Sequence, residues 1–237
     1  MYRKKQEQLE KEDNTWQRWQ DYFGQHYARL NSSKSLASKL LLQSHKLLEK
    51  RFSKVESFSD VIEIGAGDGV HLNYIQHQYD DYYLIDKNLT SLELAQKLYT
   101  GFNSKIKLCA QDAGVLAFPT ACCDRLIAVH TLEHLYYPHE VLQEWSRVTR
   151  KGGIISILIP TDPGIAWRLG RLLQTRSEVL KEGIDYDYVM AREHVNSCHN
   201  LVAIIRHLFK RREELWFPFK IASFDINLFY LCHLENT

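Results

Sequence analysis

Val61-Ile62-Glu63-Ile64-Gly65-Ala66-Gly67-Asp68-Gly69 is the stretch on which the fold turns. Its first four residues are mostly β-branched and predict a short buried strand. The glycines at 65, 67 and 69 predict that this strand ends in a tight turn, because glycine lets the backbone bend where a Cβ would collide with a ligand or a neighbour. A helix is expected next, presenting unpaired amides to an electron-rich ligand. A structural loop can need the same glycines, but their place directly after a strand favours a binding turn.

Two acids extend the pattern. Asp86 follows the apolar run Tyr82–Ile85, 21 residues beyond Gly65. A carboxylate there can accept from both hydroxyls of a ribose. Asp112 follows a third strand, Lys105–Cys109, placed to accept from an exocyclic amine. Either acid alone would pass for a loop residue. Together they mark the edge at which open α/β sheets bind ligands. Further along, Arg125–Val129 and Ile154–Ile159 read as strands, with helices over Leu89–Tyr99, His139–Thr149, closed by Lys151-Gly152-Gly153, and Leu201–Phe209. Strands alternating with helices in this rhythm predict a parallel sheet covered on both faces. Two aromatic segments, Leu215–Ile221 and Ile226–Leu234, close the chain as strands.

The flanks differ in texture. Before residue 57 there is no strand signal; Trp16, Trp19, Phe23, Tyr27 and Leu30 recur at helical spacing, and Ser33 or Ser35 would cap a second helix. Residues 161–200 are too long for a plain crossover. Arg147 to Lys181 carries seven basic residues against two acidic ones, enough to attract a phosphate or carboxylate. The whole chain of 237 residues has 30 Lys plus Arg and 29 Asp plus Glu, which disfavours nucleic acid as a partner. No apolar run reaches the length of a membrane span. The charged start, Met1–Asp13, lacks a signal-peptide core. Five scattered cysteines without a CxxC pair suggest a reducing, cytoplasmic setting.

On these motifs the chain resembles the class I S-adenosylmethionine-dependent methyltransferases, in particular the small-molecule, type 11-like group with an E-x-G-x-G first motif. The resemblance implies a Rossmann-like, doubly wound α/β sheet of seven strands with an antiparallel last strand. It divides the chain into a helical N-terminal cap, 1–56, and a methyltransferase domain, 57–237, with a substrate cap inserted at about 161–200. It implies that Glu63, Gly65, Ala66 and Gly67 surround the methionine part of S-adenosyl-L-methionine, which leaves as S-adenosyl-L-homocysteine. Asp86 would bind the ribose, with Lys87 beside the adenine. Asp112 and Ala113 would meet the adenine edge, and His130 would lie beside the sulfonium. Apart from the resemblance, the aromatic N-terminal helix, with Trp19, Tyr22 and Tyr27, would either close over the cofactor or pack on the sheet edge.

Rivals fare less well. A nicotinamide enzyme would carry G-x-G-x-x-G and has no use for the second acid. His130-Thr131-Leu132-Glu133-His134 matches an inverted zinc-protease motif, but His130 ends a strand and Pro138 soon interrupts, so no metal is expected. Glu133 and His134 would otherwise cap the next helix. There is no N/D-P-P-Y motif after the fourth strand, and Cys122-Cys123 lacks a Pro-Cys context. The expected acceptor is a small polar molecule, a sugar or an anionic metabolite, methylated on oxygen. His134 and His194 are the candidate bases, and Asp162, Arg168, Tyr186, Tyr188 and Glu193 the candidate acceptor contacts. The alternatives are RNA or protein methylation, or a non-catalytic cofactor-binding subunit. Oligomeric state has no signal in the sequence.

Overall fold

The computed structural model describes residues 13–22, 36–99, 105–173 and 175–237. Phe23, Tyr27, Leu30, Ser33, Ser35 and the charged lead lie outside them. A seven-stranded sheet forms the centre. Its strands are β1 (Ser57–Ile64), β2 (Gln78–Asp86), β3 (Ile106–Ala110), β4 (Cys123–Val129), β5 (Thr149–Pro160), β6 (Arg212–Phe217) and β7 (Phe229–Glu235). The spatial order is β3-β2-β1-β4-β5-β7-β6. β1 to β5 pair in parallel, and β7 runs antiparallel between β5 and β6. Chain order reverses between β1 and β4, so the ligand crevice of such a sheet opens at the strand ends beside that junction.

Side-chain alternation sends β1 to two cores. Ile62 and Ile64 join Leu126, Ala128, Ile155 and Ile157 on one face, under α4 (Pro138–Val148) and α8 (Cys198–Leu208). Val61 joins Leu84, Ile127, Val129 and Leu158 on the other, under α2 (Leu36–Glu49) and α3 (Leu89–Leu98). Three helices, α5 (Ile165–Leu173), α6 (Thr175–Lys181) and α7 (Tyr186–Glu193), fill the 161–200 insertion. A helix over residues 14–22, α1, lies on this cap: Trp19 shares a small core with Val179, Ile184, Tyr186 and Val189.

Two expectations need correction. The full helix after the glycine turn is a single 3-10 stretch, Val70–Tyr74, because β2 begins at Gln78, nine residues past Gly69. The helix before β5 is not closed by Lys151-Gly152-Gly153. It ends at Val148, and the glycines lie in β5, where the register slips from Cys123↔Thr149 to Arg125↔Ile154. Gly152 takes φ +76° in this bulge.

α2 is pinned by charge as well as by apolar contact. Arg125, wholly buried on β4, donates to both carboxylate oxygens of Glu49 at 2.9 and 2.5 Å. Phe52 covers the guanidinium at 3.7 Å, and His71 meets Glu49 at 3.1 Å. Burial alone would raise the Glu49 carboxyl; the Arg125 cation outweighs it and holds the pKa well below the usual range.

Candidate functional site

The ends of β1, β2 and β3 are stitched together by backbone amides. Ala66 N–H donates to the Ile85 carbonyl at 3.0 Å and Gln111 N–H to the Asp86 carbonyl at 3.1 Å. The Asp86 carboxylate receives Gly67 N–H at 2.9 Å and Asn88 N–H at 2.8 Å. Both oxygens are thereby aimed, and each keeps acceptor capacity for a second donor. Gly65, Gly67 and Gly69 all take left-handed φ, +67°, +54° and +77°, which explains three glycines in five residues. A Cβ on Gly65 would lie 2.3 Å from Thr131 Oγ1, whose hydroxyl is tied to the Ile64 and Val129 carbonyls. Asp112 is exposed and accepts from Gly114 N–H at 2.9 Å, while Ala113 gives its carbonyl to the Trp145 indole.

This donor set fits S-adenosylmethionine: a fixed carboxylate at the ribose position, a second at the next strand end and a bare turn between them. In place of the expected helix, a 3-10 stretch follows Gly69. Glu63 is buried and its Oε2 takes the Tyr82 hydroxyl at 2.7 Å, so it lies beneath the turn; burial raises its pKa. Lys87 is exposed beside Asp86.

On the other side of the junction, the β4 and β5 ends meet the cap. His130 leaves β4 with φ +52°, a strained angle for a side-chain-bearing residue. Its Nδ1 lies 3.7 Å from Glu133, and His134 Nε2 lies 3.8 Å from the same carboxylate. The His134 and His194 rings are 5.0 Å apart, and His194 Nδ1 meets Asp162 at 2.7 Å. Asp162 also accepts from Arg171 at 2.9 Å. Arg171 and Trp167 lie one turn apart on α5. Trp167 meets Phe229, which meets His130, so the contacts close a ring. Asn196 clamps it, donating its backbone N–H to Glu133 O and its amide to Leu135 O.

Two Glu-His dipeptides, 133–134 and 193–194, cross here: His134 Nδ1 lies 2.7 Å from the Glu193 carbonyl and 3.3 Å from its carboxylate. Burial would strip His134 of its proton, but Glu193 and then Glu133 reverse this and raise its pKa to about 9. Such an imidazole keeps its proton at neutral pH, which counts against His134 as a simple base. Burial likewise would raise Glu133, yet His130 and His134 leave its pKa lowered. Among the described residues, Glu133 Oε2, Trp167 Nε1 and Arg171 Nε are buried on this ring without a hydrogen-bond partner.

Not every candidate contact is here. Tyr188 points the other way, its hydroxyl bonded to Asp13 and 3.2 Å from Arg192. Tyr186 is buried in the α1–cap core, reaching the ring only through Arg171 at 5.9 Å. Arg168 is exposed on α5. The basic excess expected to draw an anion is largely spent in pairs: Arg147 with Glu144, Arg150 with Asp60 and Asp124, Arg171 with Asp162, Arg176 with Asp187. Glu193 is present but as the partner of His134 and of the Trp19 indole at 2.9 Å. Glu133, Trp167 and Arg171 were not among the expected site residues. The repeated Glu-His dipeptide and the one-turn spacing of 167 and 171 are the signals that mark them. Glu133, His134 and His194 bring one potential ligand atom each to within 4.8 Å of one another.

The methyltransferase-domain family matches residues 62–157. No curated protein matches the sequence. Among solved structures, a SAM-dependent methyltransferase from Thermotoga maritima superposes with TM-score 0.62 at 18% identity, covering 94% of this chain and 100% of that one. A SAM-dependent methyltransferase from Aquifex aeolicus gives 0.59 at 15% identity, over 89% and 98%. The complex of the Haloferax volcanii Trm112 methyltransferase activator with its methyltransferase gives 0.60 at 14% identity, over 91% and 96%. At these identities the likenesses show the fold, and the family match adds the domain that carries the glycine turn and both acids. Residues 62–157 are thus a methyltransferase domain, set in the fold that S-adenosylmethionine-dependent methyltransferases share.

Proposed function

We propose that the protein methylates a hydroxyl of a small, neutral, polyhydroxylated acceptor such as a sugar. The observation that carries this reading is the trio of buried, unpartnered polar atoms on the acceptor ring, Glu133 Oε2, Trp167 Nε1 and Arg171 Nε. An unmet buried polar atom costs about 1–3 kcal/mol, so a ligand offering hydroxyls as both donor and acceptor is favoured there over an apolar one. A neutral acceptor suits the site better than an anion, because Arg171 already serves Asp162.

The cofactor supplies a methyl on a positively charged sulfur, which becomes a neutral thioether when the acceptor oxygen takes the methyl. Asp86 and the glycine turn fix its ribose and methionine parts, with Asp112 at the adenine. His130 stands between the two sides. The ring holds the acceptor oxygen in line with the methyl, and such alignment is worth roughly 7–11 kcal/mol. His134 and His194 are assigned to the reacting hydroxyl, whose proton leaves on their side for water. Five free cysteines, with no disulfide among the described residues, support a reducing compartment.

The test is methyl transfer from labelled S-adenosylmethionine to a panel of sugars, amines and carboxylates. Sugars should be methylated on oxygen, and His194→Ala should lower turnover by roughly 100-fold or more while S-adenosylhomocysteine binds as before. Transfer to amines alone, or full activity in the His194 variant, would overturn the reading.

A further inference from the structure

We propose that Glu133, His134 and His194 form a binding site for one divalent first-row transition-metal ion, which would present an open coordination position to the acceptor hydroxyl. The role given to the ion rests on the methyl-transfer reading above; the binding does not.

The donors are two imidazole nitrogens and one carboxylate oxygen, mutually within 4.8 Å. A metal with ligand distances of about 2.0–2.2 Å would bring them to about 3.4 Å from one another, closing the widest gap by up to about 1.4 Å. Their tautomers are already fixed. His134 Nδ1 faces the Glu193 carbonyl, which can only accept, so it carries the hydrogen. His194 Nδ1 likewise donates to the Asp162 carboxylate. Both Nε2 atoms are therefore the ones that would face the ion, His134 Nε2 releasing its proton on binding, with the carbonyl and carboxylate in the supporting positions that ligating histidines use. An independent sign is the Glu133 carboxylate, 2% exposed with Oε2 unpartnered among the described residues.

Charge points the same way. The carboxylates Glu133, Glu193 and Asp162 converge here, and a divalent ion would take over the positive charge that the His134 proton supplies in the metal-free protein. Two imidazoles favour zinc, cobalt, nickel or iron over magnesium and calcium, which prefer all-oxygen sets. Three protein ligands leave a position open, as in catalytic rather than structural sites.

Co2+ is the probe, added to untagged protein stripped with a chelator. One equivalent should bind and develop the visible absorption of a nitrogen–oxygen site. His134→Ala and His194→Ala should each abolish the spectrum, and Asp162→Asn, which touches only the supporting shell, should weaken binding by roughly 10–100-fold. His139→Ala, on an exposed imidazole outside the cluster, should change nothing. S-adenosylhomocysteine binding by each variant checks that it is folded. Absence of a stoichiometric site, or one that survives loss of both His134 and His194, would overturn the metal inference and leave the methyl-transfer reading standing. A normal Co2+ site in a protein that binds no S-adenosylhomocysteine would do the reverse.

Discussion

At the ends of β1, β2 and β3, the groups proposed to meet the ligand are glycines in left-handed conformations and carboxylates aimed by backbone amides. At the ends of β4 and β5 they are imidazoles, carboxylates and a guanidinium that hold one another across 60 residues of sequence. The first half is fixed by what the main chain can do locally. The second is fixed by charge compensation between side chains from β4, β5 and the cap. The cofactor half should therefore fail through sterics, and the acceptor half through protonation and pairing.

Gly65→Val puts that contrast under the heaviest load. Its side chain would meet Thr131, which is tied to two carbonyls and cannot swing away, on a backbone that disfavours any Cβ. S-adenosylhomocysteine binding should be lost in calorimetry; retained binding would mean the turn tolerates bulk and the geometric account is wrong.

Acid separates both halves from the core beneath them. Burial, helped by Arg125, lowers His77 to about 4 and His233 to about 3, so the native state keeps both neutral. Their stabilisation is complete above the unfolded value near 6.5 and is lost as pH falls from there toward the folded values. At pH 5 the loss should be on the order of 1–2 kcal/mol each, read from urea midpoints against pH 7.5. An unchanged midpoint would show that these imidazoles reach water.

Asp86→Ala should weaken S-adenosylhomocysteine binding by roughly tenfold, one charge-assisted hydrogen bond or more, with turnover at saturating cofactor much less affected. If turnover collapses while affinity holds, the division between the halves is misdrawn. The smallest effect belongs to Tyr188→Phe. Its hydroxyl serves Asp13 and Arg192 on the outside of the cap, so kcat and KM for the acceptor should stay within about twofold, the scale of surface changes of up to ~0.5 kcal/mol.

The contrast also explains what the sequence reveals. Glycine periodicity and strand-end acids are read within a few residues, so Gly65, Gly67, Asp86 and Asp112 stand out, as does the sheet that follows from alternating segments. The expected helix after Gly69 failed because length, not pattern, decides it: the chain has eight residues, 70–77, in which to reach β2. On the acceptor side His134 and His194 are visible as residues, but nothing local says that Glu133 would turn inward between them. Nor does spacing alone say that Arg171 rather than Arg168 faces the ring. Helical phase distinguishes them only when the packed side of α5 is known.

The buried Glu49–Arg125 pair has a consequence for how the chain can be divided. A boundary near residue 56 leaves all of β4, and with it Arg125, in the downstream piece, while the carboxylate that neutralises it goes with the upstream one. A chain begun at Ser57 would have to enclose an unanswered cation in its central strand, a defect of about 3–5 kcal/mol. The first 56 residues are then less a lid that could be added to a finished sheet than a counterion the sheet waits for: folding of the centre is conditional on the arrival of α2.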